Sequence, residues 1–72
     1  MTIGELIRKY RKEKGWTQAQ LAEKADMFTS YISHYETGIW LPCLLNLIAI
    51  ADALNVSLDD LVGRTVHNEE TV

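Results

Sequence analysis

Seventy-two residues with a formal net charge of −3 and a single cysteine bound one small domain, whose core has to be shared among short elements. Cys43 alone excludes an intramolecular disulfide and a cysteine-based metal cluster. His34 and His67 stand far apart in sequence, and no stretch reaches the roughly 20 apolar residues that span a bilayer. The expectation is a cytoplasmic chain with no membrane segment, metal or cofactor.

Thr2-Ile3-Gly4-Glu5 has the form of a capping box, and Ile3, Leu6, Ile7 and Tyr10 follow at helical spacing to a stop near Gly15. This first helix holds most of the positive charge. Residues 1–16 carry five basic and two acidic side chains, for +3, whereas residues 17–72 carry two basic and eight acidic ones, for −6. An acidic chain is poorly suited to a phosphate backbone, and the basic helix either solvates an outer face or supplies long-range attraction to DNA.

Thr17-Gln18-Ala19-Gln20 repeats the capping pattern, and Leu21, Ala22 and Ala25 give a second helix of about two turns a narrow apolar stripe. Asp26-Met27 makes a tight turn. A third helix runs from Phe28 or Thr29 to Thr37, with Ile32 and Tyr35 inward and Gly38 as its stop. After Pro42 and Cys43, the residues Leu44, Leu47, Ile48, Ala51 and Leu54 make the strongest core-facing stripe of the chain, and Asn55 ends it. Ser57 caps a last short helix with Leu58, Leu61 and Val62. Gly63 closes the domain, and the polar segment 64–72 reads as a flexible tail.

The combination of Thr17-Gln18, Leu21-Ala22, Ile32-Ser33, Glu36-x-Gly38, Pro42 and the Leu47–Leu54 stripe followed by Asn55-Val56-Ser57 resembles the phage-repressor (Cro and lambda-repressor, or XRE) family of helix-turn-helix domains. The resemblance covers residues 3 to about 62 and implies an all-α, compact five-helix fold over residues 1–63. It implies a structural pair between Arg11 and Glu36 that locks the first helix to the third. It also places DNA contacts on Gln18, Thr29, Ser30, Tyr31 and His34 and on the loop around residues 39–41. Read without the family, a Thr, a Ser and a His on a helix face are ordinary surface residues.

Departures from the family pattern gather in one region. Phe28 stands where a hydroxyl usually caps the recognition helix, Ile39-Trp40-Leu41 replace a basic loop, Cys43 replaces a serine cap, and Leu45 takes a position often acidic. Between Met27 and Leu45 the only formal charge is Glu36. Some of these apolar side chains could fold inward, as Trp16 is expected to do. If they stay outside, they form one patch, and patches of this kind rarely persist on monomers without a binding role.

Two functions follow. The sequence favours a binding module whose DNA face has become an apolar protein-binding surface, by divergence or by deliberate redesign. Phe28, Trp40 and Leu41 would be its anchors, Ile39 and Leu45 their neighbours, and Tyr31 and His34 the polar edge. The alternative keeps the family's role, a sequence-specific DNA-binding transcriptional repressor acting as a homodimer, with Gln18, Thr29, Ser30 and His34 at the DNA and the 39–41 loop as a dimer contact. Neither histidine has a nucleophile or carboxylate at triad spacing, and there is no phosphate-cradling glycine loop, so no enzyme is expected.

Overall fold

Three of the five helices begin at a hydroxyl that closes a reciprocal capping box. In the computed structural model, which describes residues 1–63, the helices are α1 (Ile3–Glu13), α2 (Gln18–Lys24), α3 (Thr29–Thr37), α4 (Leu44–Leu54) and α5 (Leu58–Val62). The tail expected over 64–72 lies outside the described residues. Thr2 Oγ1 accepts from the Glu5 amide at 3.1 Å while Glu5 Oε1 accepts from the Thr2 amide at 2.9 Å. Thr17 with Gln20 and Ser57 with Asp60 repeat the arrangement at the starts of α2 and α5. Each box satisfies two amides that the helix itself leaves without acceptors.

The other two helices start without such help. Phe28 and Cys43 occupy the cap positions of α3 and α4 with the extended backbone a cap needs, but neither side chain accepts a bond. Phe28 is 75% exposed, so its ring recovers little by burial. Phe28→Ser should therefore stabilise the protein by about 1 kcal/mol, the ordinary worth of a hydroxyl cap. Urea denaturation checks this, and a net loss would mean that the Phe28 ring holds α3 in place by contacts stronger than its exposure indicates.

At the other ends, Gly38 closes α3 and Asn55 closes α4, both in the left-handed region with φ of 84° and 59°. The core draws one fully buried side chain from each of α1, α2, α3 and α5 and two from α4: Ile7, Leu21, Ile32, Leu61, Ile50 and Leu54. α3 packs on α1 and α2, and α5 closes against α1 and α4. Gly4 is buried in the first turn of α1, where an added Cβ would run into the carbonyl oxygens of Tyr35 and Glu36 at the end of α3.

The phase of α4 differs from the expectation. Leu47, Ile50, Ala51 and Leu54 face inward, while Leu44 is 64% and Ile48 37% exposed. α4 is apolar around most of its circumference, so periodicity does not select a face, and packing against α1, α2 and α5 does. Trp16 also departs from expectation: it lies half-buried at the edge of the core, with the ammonium groups of Lys24 and Lys14 at 5.0 and 5.7 Å from its ring. No helix among the described residues is long and apolar enough to cross a membrane.

Candidate nucleic-acid interface

α2 turns into α3 through Asp26, whose positive φ of 57° reverses the chain, and through the Met27 amide, which donates to the Ala22 carbonyl at 2.9 Å. The reversal buries Ile32 and Tyr35 and leaves Thr29 and Ser30 exposed in the first turn of α3. Because Phe28 contributes no side-chain cap, the partial positive charge of this helix start stays open to solvent.

Behind that surface lies a buried polar network. Arg11 Nε and Nη2 donate to the two Glu36 carboxylate oxygens at 2.7 and 3.0 Å, and Arg11 Nη1 donates to the Trp16 carbonyl at 2.8 Å. The side chains are only 10% and 3% exposed. The hydrogen bond with Glu36 raises the Arg11 pKa above its ordinary value, burial opposes that shift, and the Glu36 charge adds to it. The expected pair is present, and it has a third member: Gln18 Nε2 donates to Glu36 Oε1 at 3.0 Å. The resemblance names Gln18 only as a DNA contact, and this inward bond is additional to that expectation.

Glu36 is the only formal charge from Met27 to Ala51, and it is engaged inward, so the outer surface of α3, the following loop and most of α4 carries no net charge. Among the described residues the exposed cations lie elsewhere, Arg8, Lys9 and Lys12 on α1 and Lys14 and Lys24 beside Trp16. Lys9 and Glu13 form an exposed pair at 3.9 Å, which contributes little.

The aromatic residues singled out in the sequence meet. Trp40 folds back on α3, stacked on His34 with ring centres 4.3 Å apart and edge-on to Tyr31 at 5.4 Å. Phe28 extends the row, 6.1 Å from Tyr31. Trp40 remains 45% exposed, while Ile39, Leu41 and Leu45 are 67%, 78% and 77% exposed. Leu45 stands in the first turn of α4.

His34 Nδ1 bonds the Ser30 carbonyl, and since a carbonyl only accepts, Nδ1 carries the proton. A neutral His34 then has only Nε2 left, as an acceptor. Asn46 Nδ2 donates to the Tyr35 hydroxyl at 2.7 Å and ties α4 to α3, a link the sequence reading also missed.

Residues 7–61 match the helix-turn-helix family. The immunity repressor protein of Bacillus phage phi105 is 42% identical over 71 residues, 97% of this chain and 49% of that protein. The cryptic phage CTXphi transcriptional repressor RstR of Vibrio cholerae is 41% identical over 69 residues, 96% of this chain and 62% of that protein. This chain thus spans about half to three fifths of the length of those relatives. Among solved structures, the P22 c2 repressor in complex with a synthetic operator superposes with a TM-score of 0.82 at 34% identity, covering 86% of this chain and 94% of that one.

These likenesses are to repressors, one of them solved on an operator, and they favour the DNA-binding alternative over the protein-binding module that the sequence puts first. They lend no support to an engineered origin. With a five-helix repressor fold, the buried pair of Arg11 and Glu36 and a family match over most of its length, this chain belongs to the phage-repressor (XRE-type) helix-turn-helix family.

Proposed function

We propose that this chain is a sequence-specific DNA-binding transcriptional repressor that acts as a dimer and places the first turn of α3 in the major groove. The observation that carries the reading is the exposed, uncapped start of α3, with Thr29 and Ser30 outward, set on the buried Arg11–Glu36–Gln18 network. An open helix start favours a phosphate, and hydroxyls serve phosphates and base edges alike. His34 Nε2, as an acceptor, matches the exocyclic amine of adenine or cytosine. Phe28 supplies an apolar contact of the kind that suits a thymine methyl.

Such a face takes its affinity from fit more than from charge. The test is selection of a duplex from a random pool, followed by titration at about 50 and about 200 mM salt, where the slope reports roughly 0.9 per phosphate neutralised. The expected result is a specific duplex with a shallow slope, of about −4 or less steep for the dimer, and about tenfold weaker binding for Ser30→Ala. Failure to bind any duplex at the lower salt would overturn the reading. In favour of a foreign protein partner stands the exposure of Phe28, Trp40 and Leu41, and that outcome would return attention to it.

A further inference from the structure

We propose that Trp40 is a positioning residue for His34, and that with the Ser30 carbonyl it makes His34 Nε2 a reader whose preferred base changes with pH, a role that rests on the DNA-binding function proposed above. After Gly38, at φ 84°, the chain turns back on α3, and the Ile39 and Trp40 amides both donate to the His34 carbonyl, at 2.9 and 3.2 Å. That hook brings the indole onto the imidazole, with ring centres 4.3 Å apart and planes 19° from parallel, while Tyr31 meets the indole edge-on. The Ser30 carbonyl holds Nδ1. A covered face and a bonded nitrogen leave the ring little freedom to flip. Nε2 makes no bond among the described residues, and none of their buried side-chain nitrogens or oxygens lacks a partner, so Nε2 reaches solvent.

Both restraints survive protonation. A carbonyl accepts from Nδ1 whether the ring is neutral or charged, and a cation is drawn to an indole face. A gained proton therefore changes one atom and moves none: Nε2 passes from acceptor to donor. Neutral, it suits the amine of adenine or cytosine in the major groove; charged, it suits O6 and N7 of guanine. No carboxylate pairs with His34 among the described residues. On α3 its titratable neighbours are Tyr31, Tyr35 and Glu36, and the loop from Gly38 to Cys43 adds only Cys43. From α1 and α2, packed on α3, Arg11 and Gln18 reach its end, both bonded to Glu36. Histidine is the side chain whose charge changes between about pH 5 and 8.

The experiment takes the duplex selected above and places adenine or guanine at each half-site position in turn, with binding measured at about pH 8 and about pH 5.5. The ratio between the two duplexes is read, because it cancels the general attraction that every titrating group adds as pH falls. At one position adenine should be favoured about fivefold at the higher pH, and the order should reverse at the lower. His34→Gln should keep one order at both, since an amide does not titrate, and His67→Gln should retain the reversal. Trp40→Leu should flatten the ratio at that position to below about twofold, and Trp40→Phe should restore it. The same ratio at both pH values, or a Trp40→Leu protein that loses affinity for all duplexes alike and keeps the reversal, would overturn this proposal and leave the DNA reading standing. A protein that binds no duplex would overturn both.

Discussion

Glu36→Ala should cost about 3–5 kcal/mol, the usual price of stranding one partner of a buried ion pair. A domain of this size has a total stability of roughly 4–11 kcal/mol, so the variant would be near its unfolding threshold. Arg11 would keep only its bond to the Trp16 carbonyl, and Gln18 would lose its acceptor. The sign with pH follows from the raised Arg11 pKa. A base whose pKa is higher in the folded state contributes stability fully below its unfolded pKa and loses it as pH rises through the folded one, which here lies in strong alkali. As far as Arg11 is concerned, the loss should stay level between about pH 6 and about pH 8. Urea denaturation of both proteins at the two ends of that range checks it; a loss below about 1 kcal/mol would class the pair with exposed ones.

Gly4→Ala should lower stability by about 3 kcal/mol, against the general rule that replacing a helical glycine by alanine gains up to about 1 kcal/mol. The new methyl would overlap the Tyr35 carbonyl oxygen and press on that of Glu36, both of them backbone. Neither can swing away, so α1 has to lift from the end of α3, where Arg11 must still reach Glu36. The same denaturation experiment decides it. A stabilised variant would mean that the two helices separate at little cost and that the close approach is not needed for the ion pair.

Local chemistry was legible in the sequence and distant chemistry was not. The capping boxes at Thr2, Thr17 and Ser57 involve residues three apart, and the stops at Gly38 and Asn55 follow from a single backbone angle, so all five helices could be placed from spacing. The pair of Arg11 and Glu36 spans 25 positions and came only through the family resemblance. The crowding at Gly4, the third member Gln18 and the link from Asn46 to Tyr35 each depend on two helices meeting at a given register, which no periodicity encodes. On α4 the pattern misled, since a helix apolar on two sides offers two equally good answers. The preference for a protein-binding role had a similar source: the apolar substitutions were visible in the sequence, while the fold beneath them and its relatives point to DNA.

The bond from Gln18 to Glu36 also fixes which way an amide points. A carboxylate only accepts, so the NH2 group must turn toward Glu36, and the Gln18 carbonyl oxygen and remaining N–H are left at set bearings before any ligand arrives. Immobilising a long side chain at an interface ordinarily costs about 0.5–1.5 kcal/mol of binding free energy. Here folding has already met that cost, so whatever Gln18 touches meets a rigid group. Its grip then depends on Arg11, a residue the ligand never needs to reach.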